Sequence, residues 1–256
     1  MLGSLEDKDI DIAADSSLRW KGGEMSVAVI PTYNEADVIK LLVERLEALK
    51  EHISRIVVVD DGSPDGTESV LKSLNSTYGN VFVLQRGSKL GFGSAIRDGL
   101  REALKDEDAK RFLQMDADLS HDPSYLPSMF NEDADIVIGS RYVPGGGTRG
   151  WKLTRRIASR TACFLASTFL GLPAKDPTAG FKIYSRDAAR LVLEETKENR
   201  SMGAFEIETI YVAKKHRLRV SEVPINFVNR KMGASKAGFH EIYVVLKFIL
   251  SHLFES

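Results

Sequence analysis

The chain has 256 residues, 43% of them hydrophobic and 28% charged, a balance that suits a folded globular protein and excludes a disordered one. Lys and Arg number 35 against 36 Asp and Glu, and the resulting net charge of −1 excludes a generally basic nucleic-acid binder. Cys163 is the only cysteine, which rules out an internal disulfide and a cysteine-built zinc site and fits a reducing compartment.

No run reaches about 18 consecutive apolar residues, and the N-terminus lacks a basic start followed by an apolar core. The expectation is an intracellular α/β protein with no spanning helix and no secretory signal. Residues 1–24 hold Glu6, Asp7, Asp9, Asp11, Asp15 and Glu24 with little apolar periodicity, and read as a mobile tail. From Met25 the pattern changes, and residues 25–256 read as one domain. Short Val/Ile/Leu-rich runs at 25–30, 54–60, 80–85, 110–115 and 134–139 alternate with helical stretches such as Ile39, Leu42, Val43, Leu46 and Leu49. This alternation predicts a mostly parallel, Rossmann-like sheet covered by helices on both faces. Ligands of such sheets sit beyond the carboxyl ends of the strands. After Ser140 the sequence predicts a helix over 153–171, a short strand near 178–184, a helix capped by Ser185, a helix at 205–216, a strand pair broken by Pro224, and an amphipathic helix over 239–254.

Two predicted strands end in carboxylates: Asp60-Asp61-Gly62 after the second, and Asp116-Ala117-Asp118 after the fourth. One carboxylate there can accept hydrogen bonds from a base or ribose. An Asp-x-Asp pair can hold a divalent cation that bridges a diphosphate. Asp122, directly before Pro123, reads instead as a helix cap. Asp61–Gly66 lacks the spacing of a calcium loop, and Gly91-Phe-Gly93 lacks the third small residue of a dinucleotide fingerprint. With Lys89 before it, that glycine loop can still offer N–H groups to a phosphate or sugar.

Charge is unevenly spread. No acid lies between Asp135 and Asp176, where Arg141, Arg149, Lys152, Arg155, Arg156, Arg160 and Lys175 stand; Arg230, Lys231 and Lys236 fall in a second acid-free stretch. Such residues suit a phosphate-bearing substrate or an anionic membrane surface, whereas Arg156 and Arg160 at i, i+4 spacing also read as a solvated helix face. The stripe Ile242, Val245, Leu246, Ile249, Leu253 fits a core helix or an in-plane membrane helix. One of Glu206 and Glu208 reads as a group that positions an acceptor or a loop, and Glu206 at least equally as a helix-surface charge. His121 reads as hydrogen-bonding behind the metal motif, and Arg155–Ser159 also matches a basic kinase-recognition stretch.

Taken together, the motifs Pro31-Thr-Tyr-Asn-Glu35, Val58–Gly66, Gly91–Ala95, Met115-Asp-Ala-Asp-Leu-Ser-His121, Gly139-Ser-Arg-Tyr142, Gly150-Trp151, Asp176–Phe181, Phe205–Glu208 and Arg230…Ser235-Lys236 resemble the family-2 glycosyltransferases of GT-A fold. Within these the chain resembles the dolichol- or polyprenol-phosphate mannose synthases, of the type without C-terminal transmembrane helices. The resemblance implies transfer of mannose from GDP-mannose to a dolichyl or polyprenyl monophosphate with inversion, and it leaves UDP-glucose or another sugar nucleotide open as donor. It implies that Pro31, Tyr33, Glu35 and Asp60 line the base and ribose, and that Asp116 and Asp118 hold Mg²⁺ or Mn²⁺ with the diphosphate. Ser120 stands where some relatives have a Gln, which leaves the third metal ligand open, water included. Arg141, Arg155 and Arg230 would face the phosphates of donor and acceptor, with Ser235 and Lys236 closing over the donor. Asp118, Arg141, Arg155 and Arg230 are thus the catalytic candidates. The implied setting is the cytoplasmic face of a membrane (endoplasmic reticulum in a eukaryote, plasma membrane in a prokaryote), reached through amphipathic segments or small membrane partner subunits. A nucleotidyltransferase would need a Gly-rich basic loop where Pro31-Thr-Tyr-Asn34 stands, and a degenerate scaffold would not keep every acidic position filled.

Overall fold

The computed structural model of the protein describes residues 24–198, 200–229 and 239–253. The N-terminal tail up to residue 23 and the expected donor-side residues Arg230, Ser235 and Lys236, with Lys231 and Gly233, lie outside the described residues. The chain begins with β1 (Ser26–Thr32), α1 (Ala36–Glu47), β2 (Ile53–Asp60), α2 (Thr67–Tyr78), β3 (Val81–Gln85), α3 (Phe92–Ala103) and β4 (Arg111–Gln114). A short 3-10 turn at Pro123–Tyr125 leads into α4 (Leu126–Phe130), β5 (Ile136–Ser140), β6 (Gly147–Arg149) and α5 (Leu153–Leu170). Then follow β7 (Lys182–Ser185), α6 (Arg186–Glu195), α7 (Met202–Lys215), β8 (Val220–Pro224), β9 (Asn226–Val228) and α8 (Phe239–Leu253).

Seven strands form one sheet in the order β3-β2-β1-β4-β7-β5-β8, and β6 pairs with β9 in a small second sheet. Every pairing in the large sheet is parallel except those of β7, which runs antiparallel to β4 and β5. The central strands are apolar throughout because both faces are covered. Val27, Val29, Val57 and Val59 enter one core layer with residues of α3 and α5 to α8; Ala28, Ile30, Ile56 and Val58 enter the other, with residues of α1, α2 and α4. On α1 the buried set Ile39, Leu42, Val43 and Leu46 has the spacing of one helix face. Ser185 caps α6 by accepting from the Ala188 amide, as its position predicts.

The strand expected near 178–184 starts only at Lys182. Residues 176–181 form a loop instead, because the Asp176 side chain is drawn inward as the counter-ion of Arg141. The final helix combines both expected characters: Val245, Phe248 and Ile249 are buried, while Tyr243, Leu246 and Leu250 are exposed. It packs on α5 and α7.

α3 approaches the sheet closely at Gly99. A Cβ built there would overlap Val29 Cγ1 and lie 3.1 Å from Val59 Cγ2, on stiff β-branched neighbours. The variant Gly99→Ala is therefore expected to lose about 1–3 kcal/mol of unfolding free energy through overpacking, read by urea denaturation.

Candidate active site

The carboxyl ends of β1, β2 and β4 and the start of α3 enclose a polar cleft of about 300 Å³, lined by Pro31, Tyr33, Glu35, Asp61, Lys89, Gly91, Asp116 and Asp118 among others. The Lys89 ammonium lies 3.9 Å over the Tyr33 ring. Asp61, rather than the expected Asp60, stands in the wall. Asp60 is fully buried beneath it, with Oδ1 accepting from the Ser63 amide at 3.2 Å and the Ser63 hydroxyl at 2.5 Å. Asp61 accepts from Arg86 Nε at 2.5 Å and from the Gly91 amide at 3.3 Å, so that glycine N–H is already engaged. Arg86 also reaches Ser94, Asp98 and the Gly91 carbonyl, tying β3 to the start of α3.

Tyr33 and Glu35 owe their placement to a clasp between two loops. The Asn34 amide donates to Ser63 Oγ at 2.9 Å, Glu35 N–H to Thr67 Oγ1 at 3.2 Å, and Ala36 N–H to Asp65 Oδ2 at 3.1 Å. Three N–H groups at the start of α1 are thus satisfied by the Ser63–Thr67 loop rather than by a local cap. Burial works against the Asp65 carboxylate, yet Thr67 and the Ala36 and Thr67 amides hold it below its ordinary range. The clasp holds Asn34 in left-handed backbone (φ 61°), where an Asn is tolerated.

A second cavity, also of about 300 Å³, adjoins the cleft and is mainly apolar: Trp151, Ile225, Phe227, Val244 and Val245 face it, with Arg141 and Arg155. Asp116 and Met202 line both spaces. Arg155 stacks 3.8 Å over Trp151 and donates to Asn229 Oδ1 at 3.1 Å. Arg141 is buried and forked onto Asp176, with Nε–Oδ2 at 2.8 Å and Nη2–Oδ1 at 2.6 Å. Burial pushes the Asp176 carboxyl up, but Arg141 outweighs it and holds the group below the usual range. Arg141 therefore reaches the cavity with most of its charge already matched. Arg156 and Arg160 are exposed on α5, the solvated alternative, whereas Arg155 turns inward.

Asp116 and Asp118 offer hard carboxylate oxygens at a strand end. This donor set fits Mg²⁺ or Mn²⁺ that completes its shell with diphosphate and water. Among the described residues no three His, Cys, Asp or Glu side chains converge on a metal position. Ser120, nearly fully buried, donates its amide to Asp118 Oδ1 at 3.0 Å. His121 lies behind the motif: its Nδ1 accepts from the Asp116 amide at 3.0 Å, and its ring stacks on Phe181. Burial pushes the imidazole down to about 3, against the upward pull of Asp118, so it is neutral. Asp122 caps the 3-10 turn by accepting from the Ser124 amide. Glu206 is no surface charge but is fully buried against Lys182. Glu208, also buried, holds a loop by accepting from the Lys197 amide and pairing with Arg200. The kinase reading fails because Ser159 is only 1% exposed.

Sequence reasoning missed Asp61 with Arg86 and Lys182 with Glu206. A lysine inside the apolar run Phe181–Tyr184, and two acids in the helix Ala204–Ala213, apolar on all sides, were the available signals of buried, paired charge.

A mixed sheet with carboxylates at the ends of its parallel strands, facing a polar cleft, is the arrangement of the GT-A glycosyltransferases. The described structure superposes on glucosyl-3-phosphoglycerate synthase from Mycobacterium tuberculosis with a TM-score of 0.61 at 18% identity, covering 90% of this chain and 80% of that one. Mannosyl-3-phosphoglycerate synthase from Rubrobacter xylanophilus gives 0.61 at 18%, over 91% and 75%. Residues 27–193 match the Glycosyl transferase family 2 model, and the chain belongs to that family. It is 37% identical over 213 residues to an undecaprenyl-phosphate mannosyltransferase of Micrococcus luteus, covering 82% of this chain and 86% of the relative. It is 36% identical over 217 residues to a polyprenol monophosphomannose synthase of Mycolicibacterium smegmatis, over 83% and 81%. The protein is accordingly a glycosyltransferase.

Asp65→Ala is expected to cost about 1 kcal/mol, the scale of a lost helix cap, and to speed hydrogen exchange at the Ala36 amide about fivefold or more. Below about pH 6.5 the unfolded chain protonates His121, whereas the folded chain resists until about pH 3. That group's contribution therefore falls as pH drops through this window. His121→Gln should flatten the acid-side decline of Tm relative to the parent, measured from about pH 6.5 to 5.

Proposed function

We propose that the protein transfers mannose from GDP-mannose to a polyprenyl or dolichyl monophosphate, with inversion, at a membrane surface. The carrying observation is that the polar cleft and the apolar cavity meet at Asp116 and Met202, so that a nucleotide sugar and a lipid phosphate can face each other across one carboxylate. The names of the two bacterial relatives support the same donor sugar and acceptor class.

In this reading Pro31, Tyr33, Glu35 and Lys89 receive the base and ribose, and Asp116 and Asp118 hold Mg²⁺ or Mn²⁺. When bound, the cation supplies charge neutralisation for the leaving diphosphate. Arg155 orients the acceptor phosphate, its guanidinium positioned by Trp151 and Asn229, while Arg141 shapes the adjoining wall. Arg230 and Lys236 would close over the donor. No side chain needs to act as base: a phosphate monoester with a second pKa near 6 is already largely dianionic at neutral pH, unlike a sugar hydroxyl. Neutral His121, engaged with the Asp116 amide, accords with that. Attack by the phosphate oxygen on the anomeric carbon then displaces the nucleoside diphosphate in one step and inverts the centre.

Among the described residues no helix is long and apolar enough to cross a membrane. The membrane contact is instead assigned to exposed stripes: Leu153, Ile157 and Phe164 with Arg160 on α5, and Tyr243, Leu246 and Leu250 with Lys247 on α8. Their basic residues suit anionic headgroups on a cytoplasmic leaflet, and their apolar ones suit a bilayer or small membrane subunits.

The test is label transfer to the organic phase from GDP-mannose beside UDP-glucose, with a polyprenyl phosphate and Mg²⁺ or Mn²⁺. Label from GDP-mannose is expected; label from UDP-glucose alone would overturn the sugar and base, and none from either would overturn the acceptor. Asp118→Ala should cut turnover by at least about a hundredfold, and near-normal rate would sink the metal assignment. Arg155→Ala should raise the acceptor KM by about ten- to a hundredfold and leave the donor KM within about twofold.

A further inference from the structure

Below the junction of cleft and cavity lies a polar cluster that the transfer step does not touch. Gln114, Lys182, Tyr184 and Glu206 are all fully buried. Lys182 Nζ pairs with Glu206 Oε2 and donates to the Ala179 carbonyl. Glu206 Oε1 accepts from Gln114 Nε2 at 2.7 Å, and Tyr184 donates to Gln114 Oε1 at 2.6 Å. Burial lowers the Lys182 ammonium from its ordinary range, with Asp176 and Asp116 pulling the other way.

Three parts of the site converge on this cluster. Gln114 ends β4, two residues before Asp116. Lys182 opens β7 two residues after Gly180, which with Thr178 and Ala179 forms cavity wall. Glu206 lies in the first turns of α7, after Met202 and Gly203, which also line the cavity. These parts meet at Gly180, where an added Cβ would make ordinary van der Waals contacts, 3.5 Å from His121 Cε1, 3.6 Å from Glu206 Oε1 and 3.7 Å from Asp116 Oδ1. A buried ion pair contributes little net stability compared with well-packed apolar residues, so stability alone is a weak reason for a lysine and a glutamate here.

We propose that the Lys182–Glu206 pair is a positioning device for sugar transfer, holding the Ala179–Gly180 wall at a fixed distance from the Asp116 carboxylate without touching either substrate. It rests on the reading of the apolar cavity as the acceptor side. Because the two charges cancel, the pair sets geometry without adding net charge beside Asp116 and Asp118. Lys182 fixes the wall from behind, and Glu206 carries the same constraint to β4 through Gln114.

The experiment compares the full-length parent with Lys182→Met, Glu206→Gln and the double variant, using GDP-mannose and farnesyl phosphate, with Tm measured on each. The double variant restores a neutral core, and its Tm should lie within about 5 °C of the parent. Its kcat should nevertheless be about ten- to a hundredfold lower, with the donor KM within about twofold, because a misplaced wall costs rate rather than donor affinity. Recovery of both Tm and kcat in the double variant would make the pair merely structural and overturn the proposal, as would single variants with parental kcat. Should the double variant not fold, Glu206→Gln, nearly isosteric, carries the same kcat and KM comparison. A parent inactive on farnesyl phosphate removes the acceptor reading and the proposal together; an active parent with unimpaired variants removes the proposal alone.

Discussion

One strand, β7, runs against its neighbours, and its direction decides which loop reaches the site. In a parallel sheet the loops at the carboxyl ends face ligands, and each strand is entered from the opposite edge. By reversing, β7 is entered from the ligand edge: Lys182, one of its first residues, pairs in register with Gln114 of β4 and with Ile138 of β5. The 176–181 loop is thereby delivered beside Asp116, and the apolar cavity acquires a wall that an all-parallel sheet would not supply. The small β6/β9 sheet then brings Phe227 against both Trp151 and His121 at centroid distances of 5.5 and 5.4 Å.

Placing a loop there brings charge into the interior, and the fold compensates it locally. Arg141 is matched by Asp176, Lys182 by Glu206 and Arg86 by Asp61, each pair largely or wholly buried. An unmatched charge at any of these positions would carry a desolvation penalty of several kcal/mol. The compensation also clears the electrostatic field. With those pairs neutral, they add no net charge beside Asp116 and Asp118, and Arg155, stacked on Trp151 and bonded to Asn229, lines the same apolar cavity as Arg141. The clasp between Asn34–Ala36 and Ser63–Thr67 works similarly for hydrogen bonds, because satisfying the α1 amides from another loop leaves Tyr33 and Glu35 to face the cleft.

What the sequence made legible follows from which signals are local. Strands and helices up to β5 are periodic in apolar residues, and strand-end acids mark the ligand edge, so Asp116 and Asp118 stand out without coordinates, whereas Tyr33 and Glu35 enter only through the family resemblance. Ser185 and Asp122 are readable as caps for the same reason. Choosing between Asp60 and Asp61 is a different kind of question. It depends on which side of the last β2 residue faces inward, a matter of register that two adjacent aspartates do not disclose. Glu206 was misjudged because its partners Lys182 and Gln114 lie 24 and 92 residues away in sequence, and burial depends on the packed core rather than on the local pattern. Arg141 lines the cavity, but its pairing with Asp176, 35 residues on, changes what it can offer a ligand.

That pairing bears on how an acceptor phosphate would be treated. Two free arginines would match a dianion completely and bind it well, but uniform stabilisation of the ground state does not speed attack. With Arg141 engaged by Asp176, and Arg155 stacked on Trp151 and bonded to Asn229, both arginines of the cavity carry protein partners of their own. A dianionic phosphate would then keep part of its charge unmatched in low-dielectric surroundings, directed toward Asp116 and the cation it is assigned to hold. In the proposed transfer its attacking oxygen would stay nucleophilic, and charge would move toward the leaving diphosphate as the bond forms. In the proposed transfer this partial matching would favour the transition state over the bound substrates, and it originates in Asp176 being turned inward at the entrance to the reversed strand.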